Sequence, residues 1–257
     1  MDKKGVQFSV IVPAFNAAKT IVRTVESVLG QSYTPFEVIV VDDCSSDGTV
    51  ALLQKQFGQS IKILQNSKNS GSSITRNNGW DAATGDYVAF LDADDTWHTD
   101  KLWLLNKLIG GSATMPQVIF HPFTLQELSK MPLSGKEYLE EFGFHKLLPG
   151  NRVATSCLIA CNRPDFRFEP TMRYTEDYDF ALRYGYQYGI YMVNFPLTQI
   201  YRMFTTQGGI SSNKWAMRKG EIRAYTRLAV RFPIFLPFLP LLIAGSLLKH
   251  VLKSLKD

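Results

Sequence analysis

Tyr87-Val88-Ala89-Phe90-Leu91-Asp92-Ala93-Asp94-Asp95 decides how this chain is read. Its first five residues are uncharged and rich in aromatic and branched side chains, the signature of a strand buried on both faces. Three carboxylates then arrive within four residues. A buried strand ending in a carboxylate cluster fits the C-terminal edge of an α/β sheet, where ligands bind. Carboxylates so crowded repel one another, and a hard divalent cation, Mg²⁺ or Mn²⁺, is the natural counter-charge because it prefers oxygen ligands and shares them with phosphates. A bare D-x-D also suits a solvated turn that caps a helix, so the flanking sequence has to decide.

Upstream, Phe8 to Val12 forms a strand stopped by Pro13. Asn16 is placed to cap a helix whose apolar stripe is Ile21, Val25, Val28 and Leu29, with Gly30 as its end. Phe36 to Val41 is a second strand, ending in Asp42-Asp43. A helix runs from Thr49 to Phe57 with Gly58 as its stop, and Ile61 to Leu64 is a third strand. Ser72 is expected to cap a helix to about Ala83, ended by Gly85. This alternation predicts a mostly parallel sheet covered by helices on both faces. Asp42 and Asp43 from one strand and Asp92, Asp94 and Asp95 from another then converge on one edge. Neither G-x-G-x-x-G nor G-x-x-x-x-G-K-[ST] occurs, so a nucleotide would be gripped by carboxylates and a metal rather than by a glycine loop. Arg76 is the one basic residue near that edge.

Composition bounds the alternatives. The 257 residues are 45% hydrophobic and 20% charged, enough for one large α/β domain or a domain with an appendage. A net charge of +5 favours anionic partners. Without a basic arm or zinc-finger spacing, nucleic acid ranks last among them. Cys44, Cys157 and Cys161 are odd in number and contain no C-x-x-C, which reads as free thiols in a reducing cytosol. Val6 to Pro13 is too short and wrongly flanked for a signal peptide.

Five motifs now stand in order: Ser-Val-Ile-Val-Pro-Ala-Phe-Asn at 9–16, Val-Val-Asp-Asp-Cys-Ser-Ser-Asp-Gly-Thr at 40–49, Ser-x-x-x-Arg-Asn-x-Gly at 72–79, Gly-Asp-Tyr-Val-Ala-Phe-Leu-Asp-Ala-Asp-Asp at 85–95, and Thr-Glu-Asp-Tyr-Asp at 175–179. Together they resemble the family 2 glycosyltransferases of the GT-A fold, over residues 7 to about 203. The resemblance implies an inverting enzyme that uses a nucleotide-sugar donor. Pro13, Ala14 and Phe15 would lie against the nucleotide, with Asp43 bonded to its base. Arg76 would help hold it, Asp92 and Ala93 would sit at the ribose, and Asp94 would bind the divalent metal. Asp177 would be the general base, with Glu176 and Asp95 in supporting roles. Glu176 and Asp177 also suit a helix start for electrostatic reasons alone.

The later chain is less regular. Leu102 to Ile109 reads as a helix, Val118 to Phe120 as a strand, and Ser134 as the cap of a helix through Phe142. Val153 to Ala160 reads as a strand, and Thr175 as the cap of a three-turn helix ending near Gly185 or Gly189. Processive members of the family carry Q-x-x-R-W after the base motif. Here Trp215 stands in Ser-Asn-Lys-Trp-Ala, which implies addition of a single sugar. Of His98, His121, His145 and His250, none is placed as a second metal ligand. Gln207-Gly208-Gly209 is read as a closing loop or an ordinary turn.

Residues 232–248 carry no charge, and prolines at 233, 237 and 240 interrupt the run. From Leu241 the apolar residues recur at helical spacing, with Lys249, Lys253 and Lys256 on another face and Arg227 and Arg231 before the run. This reads as a helix lying in an interface with its lysines toward anionic headgroups; a helix that packs in a homodimer is the rival. The expected organisation is a GT-A domain over 1–231, with a nucleotide-sugar half over 1–100 and an acceptor half over 101–210, then a tail over 232–257. The expected activity moves one sugar, from a UDP-sugar by preference, to a hydroxyl of a glycan or lipid-linked acceptor in cell-surface polysaccharide synthesis. The expected location is cytoplasmic, peripheral at the inner face of the cell membrane. The rival functions are a nucleotidyltransferase that makes sugar nucleotides, which would need an early glycine-rich basic loop, and a non-catalytic binding protein, which would lack Asp94 or Asp177.

Overall fold

The computed structural model describes residues 5–201 and 213–254, the last three of these by backbone only. Gln207-Gly208-Gly209 lies outside them. In chain order the elements are β1 (Phe8–Ala14), α1 (Ile21–Leu29), β2 (Glu37–Asp42), α2 (Thr49–Phe57), β3 (Lys62–Gln65), α3 (Ser72–Asp81), β4 (Tyr87–Phe90) and β5 (Thr96–Trp97). Then come α4 (Lys101–Gly111), β6 (Val118–Phe120), β7 (Phe123–Thr124), β8 (Leu139–Glu141), β9 (Leu158–Cys161), α5 (Glu176–Tyr188), β10 (Tyr191–Val193), β11 (Thr198–Gln199), α6 (Lys214–Arg231) and α7 (Leu239–Ser254).

Eight strands form one mixed sheet in the order β3-β2-β1-β4-β9-β6-β10-β8. β1 lies between β2 and β4 and runs parallel to both, while β9 runs antiparallel to β4 and to β6. The chain therefore winds outward from β1 through β2 to β3, then returns to the other side of β1 for β4. The crevice at such a reversal, beyond the C-terminal ends of the strands, is where α/β sheets take ligands. The register puts Ala14 beside Asp42 and Ile11 beside Phe90, so both carboxylate-tipped strands end on one edge, as expected. A small sheet, β5-β11-β7, lies beyond it.

The strands that carry the site are buried because both faces are covered. Val10, Val12, Val38, Val40 and Ala89 pack with Ile21, Val25 and Leu105 on one face. Ile11, Val88 and Phe90 pack with Trp80, Phe168 and Phe180 on the other. Gly79 permits a close approach of α3 to β1, since a Cβ there would come within 2.6 Å of Ile11 Cγ2. The described cysteines are unpaired, Cys157 among them fully buried.

Several local expectations are corrected. Asn16 caps nothing: it takes a left-handed φ of 49°, and its Oδ1 accepts from Ser46 N, tying the β1–α1 turn to the β2–α2 turn. Gly71 occupies the cap of α3, and the Ser72 hydroxyl donates to Glu176 instead. Ser134 starts no helix; the Glu137 carboxylate folds back on Ser134 N and Gly135 N in a turn, and β8 follows. Of Val153 to Ala160 only the end is strand, because Thr155–Cys157 forms a 3₁₀ turn.

The tail is helical from Pro233, and the run Pro233–Val251 is long and apolar enough by composition to cross a membrane, with 11% of it buried. Its two faces are the reverse of the usual arrangement. Leu239 and Leu242 pack inward, followed by Ser246 and Lys249, while Ile234, Phe238, Leu241, Leu248 and Val251 are exposed. The expected display of Lys249 toward headgroups is thus corrected, because its ammonium is bonded inward to Glu221 on α6. Arg227 is likewise committed, to Asp179 and Glu169. The side chains of Lys253 and Lys256 lie outside the description.

Candidate active site

The floor of the crevice is made by consecutive turns that bond to one another. Asp43 follows β2 and is buried; its Oδ1 accepts from Asn66 Nδ2 and Ser70 N, and its Oδ2 from Gly71 N, all within 2.7–2.8 Å. Its own amide donates to Ala14 O. Pro13 and Ala14 thus end β1 directly beside Asp43, and Phe15 projects from that end with 51% of its surface exposed. Ala17 N donates to Thr49 Oγ1 and Ala18 N to Asp47, so the first two turns are bonded to each other.

The turn 92–95 is pinned from both sides. Arg23 on α1 donates to Asp94 O at 2.8 Å, and the Thr24 hydroxyl lies 3.0 Å from Ala93 O and 2.9 Å from Asp95 O. From the other side the Ser156 hydroxyl accepts from Asp92 N at 3.1 Å and donates to Asp95 Oδ2 at 2.6 Å. Asp95 is buried, and burial, together with the charges of Asp92 and Asp94, pushes its carboxyl up to about 8. Asp92 keeps 37% of its side chain exposed, and Ala93 and Asp94 are half-buried.

Arg76 connects this turn to the base motif. Its guanidinium is 4% exposed and reaches Asp92 Oδ1 at 2.7 Å through one nitrogen and Glu176 Oε1 at 2.8 Å through another. Burial alone would ease the proton off, but the two carboxylates hold it on, above the ordinary arginine value. A buried cation between two carboxylates is costly to expose by halves, since losing one partner leaves the others uncompensated. The resemblance assigns Arg76 to holding the nucleotide; its guanidinium here also bridges the turn 92–95 to α5.

Asp177 opens α5, a helix whose cap residue is strained. Thr175 has a left-handed φ of 57°, rare for a β-branched residue, and its hydroxyl donates to Tyr174 O rather than capping the helix. The Asp177 Oδ1 atom accepts from Tyr178 N at 2.7 Å and Asn151 Nδ2 at 2.9 Å. Among the described residues no hydrogen bond reaches Oδ2. Burial and the neighbouring Glu176 charge raise this carboxyl above the ordinary range, and the Tyr178 amide, Arg76 and Asn151 offset part of the effect. A carboxylate with one oxygen fixed, the other open and a raised affinity for protons is suited to general-base work.

A cation is tested by the same geometry. Among the described residues, no group of three or more His, Cys, Asp or Glu side chains converges as a ready cage. The histidines do not help: His98 Nε2 lies at Met131 O, His121 Nδ1 at Pro122 O, and His250 stacks on Trp215. Asp94 and the half-exposed Asp92 are the carboxylates that face the crevice from the turn 92–95. That set fits a hard cation held by few protein oxygens and completed by phosphates and water.

Sequence reading missed Ser156, Asn151 and Lys101. Ser156 and Asn151 act from stretches with no motif. Lys101 is fully buried at the start of α4, 3.7 Å over the Trp97 ring and bonded to Ser156 O, where burial holds its amine well below the usual lysine value. A lysine in the first turn of a helix reads as solvent-exposed, so nothing local marked it.

A doubly wound half-sheet with carboxylates at its switch point and a second carboxylate helix across the crevice defines the GT-A class of nucleotide-sugar-dependent transferases. The profile described as Glycosyl transferase family 2 matches residues 9–167, and the chain belongs to that family; it is a glycosyltransferase. It is 32% identical to the amylovoran biosynthesis glycosyltransferase AmsB of Erwinia amylovora, over 87% of this chain and 76% of that one. It is 40% identical to WfaP of Escherichia coli, a UDP-Glc:alpha-D-GlcNAc-diphosphoundecaprenol beta-1,3-glucosyltransferase, over 37% of this chain and 38% of that one. Among solved structures, S. aureus TarS 1–349 in complex with UDP-GlcNAc superposes with a TM-score of 0.74 at 23% identity, over 95% of this chain and 72% of that one. The mannosyltransferase PcManGT of Pyrobaculum calidifontis, in complex with GDP-Man and Mn²⁺, gives 0.66 at 17% identity, over 99% and 76%. These two likenesses support the fold.

Proposed function

We propose that this enzyme transfers one sugar, with inversion, from a UDP-sugar to a hydroxyl of a lipid-linked or glycan acceptor in cell-surface polysaccharide synthesis. One observation carries the reading: Arg76 joins Asp92 to Glu176, which sets the base motif and the donor floor within one guanidinium of each other. The nucleotide lies along Pro13, Ala14 and Phe15 with its base toward Asp43 and its ribose toward Asp92 and Ala93. Arg76 helps hold it, and orients Asp92. Asp177 takes the proton of the acceptor hydroxyl as its oxygen attacks the anomeric carbon. The carbon–oxygen bond to the diphosphate breaks on the opposite side, so a single displacement inverts the centre. A divalent cation on Asp94, with Asp92 beside it, would supply Lewis-acid stabilisation of the departing diphosphate.

The names of relatives support the substrate classes, WfaP combining a UDP-sugar donor with a diphosphoundecaprenol-linked acceptor. The domain is taken as 1–231, with the tail 232–257 lying peripherally at the inner face of the cell membrane. Its exposed Ile234, Phe238, Leu241, Leu248 and Val251 enter the apolar boundary. Because Lys249 and Arg227 are already paired, this attachment is driven by apolar area and is little weakened by salt.

The transfer reading is tested by incubating UDP-glucose and UDP-GlcNAc, with and without Mn²⁺, with a GlcNAc-diphosphoundecaprenol acceptor, and reading product configuration by NMR. A retained anomeric configuration, or equal UDP affinity with and without Mn²⁺ in calorimetry, contradicts it. Flotation with anionic liposomes tests the tail. A full-length protein that stays at the bottom, or converts from dimer to monomer on truncation before Phe232, assigns that face to a second copy.

A further inference from the structure

The loop 147–151 is held in an unusual way: three consecutive carbonyls are each bonded to a different helix. Leu147 O accepts from the Tyr178 hydroxyl of α5 at 2.8 Å. Leu148 O lies 2.7 Å from the Tyr225 hydroxyl of α6. Pro149 O accepts from Lys249 Nζ of α7 at 2.5 Å. The grip is reinforced behind the loop, where Glu221 on α6 meets Lys249, Arg218 and the Tyr225 hydroxyl, and Arg218 also bonds Ser246 of α7. At the far end of the loop, Asn151 has its carboxamide fixed by Val153 N on Oδ1, and its Nδ2 donates to Asp177 Oδ1. A path therefore runs from the last helix to the carboxylate at the crevice: the Lys249–Pro149 hydrogen bond, two residues of backbone, and the Asn151–Asp177 hydrogen bond.

We propose that Lys249 and Asn151 are positioning residues for Asp177: the C-terminal helix, through the loop 147–151, holds this carboxylate in the orientation that leaves Oδ2 toward the acceptor. The inference rests on the reading of Asp177 as the general base. It makes α7 part of the catalytic architecture, so that whatever surface α7 rests on bears on the rate and not only on location. Neither residue touches the donor floor, so the effect falls on turnover. A small displacement of a reacting group is enough, since about 1 Å can cost up to about a hundredfold in rate.

Two readouts on the full chain test this. Steady-state UDP release from UDP-glucose, with the acceptor above or water as the nucleophile, gives kcat and KM. Hydrogen exchange followed by mass spectrometry reports order at the loop without any substrate. Lys249→Met should lower kcat about tenfold, leave the donor KM unchanged, and speed exchange in peptides covering 147–153 and 176–180 but not 66–76. Lys249→Arg should restore both. Asn151→Ala should give a similar kcat loss, and the double variant should be no worse than the poorer single, because both act through one path. Wild-type kcat in Lys249→Met, a multiplicative double variant, or unaltered exchange at 176–180 overturns the proposal. Full UDP release by Asp177→Asn overturns the assignment of the base itself, a failure told apart because the exchange readout does not depend on it.

Discussion

Asp43 and Asp177 are two carboxylates on opposite walls of one crevice, and they are held in opposite ways. Asp43 accepts three hydrogen bonds, all from residues no more than 28 positions away, on turns that belong to the parallel half of the sheet. Asp177 has one oxygen fixed and one open, and its support arrives from Asn151, from the strained Thr175 cap and from helices near the end of the chain. The Asp43 wall, proposed to take the donor, is built by local sequence and its carboxylate is held on both oxygens. The Asp177 wall, proposed to carry the base, is built by distant sequence and leaves one oxygen open.

The largest expected effect breaks the base wall alone. Asp177→Asn should lower the transfer rate by roughly 10²–10⁴ while UDP affinity, read by calorimetry, stays near wild type. Equal losses in both would mean that the walls are not separable. Arg76→Met should break both walls together. It strands Asp92 and Glu176 without their shared cation, at a cost of roughly 3–5 kcal/mol, visible as a large fall in melting temperature with loss of UDP binding. A Met variant that melts like wild type would remove the bridge from the account.

Protonation sharpens the contrast. The folded pKa of Asp177 is raised, so its carboxylate is lost as pH falls through that raised value, and the acid limb of kcat/KM should lie above the ordinary carboxylate range. The stability sign is opposite: ionising a group whose folded pKa is raised costs stability as pH rises through the window between its unfolded and folded values. Asp177→Asn should therefore be the more stable protein at neutral pH, with the gap closing in acid. An acid limb at ordinary carboxylate pH would show that the environment of Asp177 is not as described.

The smallest effect is at Gly220 of α6, where a Cβ would meet Thr175 Oγ1 at 2.5 Å and Tyr174 O at 2.9 Å. Gly220→Ala should cost roughly 1–3 kcal/mol by overpacking and lower turnover more than donor affinity. Thermal melts and the same UDP-release assay decide it.

The contrast also explains what the sequence disclosed. Along residues 8–95 the strands β1, β2 and β4 are buried on both faces, the turns follow at short spacing, and the carboxylates come directly after apolar runs, so the sheet edge and its convergence could be read outright. Thr49 to Phe57 with its Gly58 stop is one helix that matches to the residue. Asn16 and Ser72 were misread as caps because a polar residue before an apolar stripe looks the same whether it bonds the helix or a neighbouring turn. In the second half β6, β8, β9 and β10 have four residues or fewer. Strands that short are fixed by pairing partners far along the chain rather than by their own pattern. Asn151, Ser156 and Lys249 act only through tertiary contacts and carry no local mark.

The Arg76 bridge constrains how such enzymes can be recombined. The chain invites division after the turn at 92–95, with one donor module kept and a new acceptor module joined to it. But β9 pairs directly with β4, and the guanidinium that neutralises Asp92 is half-satisfied by Glu176. A crossover that imports a foreign second half without an acid at position 176 would leave a buried charge unmatched. Chimeras should therefore be drawn so that Arg76 and Glu176 travel as a pair, whichever acceptor the grafted half is meant to accept.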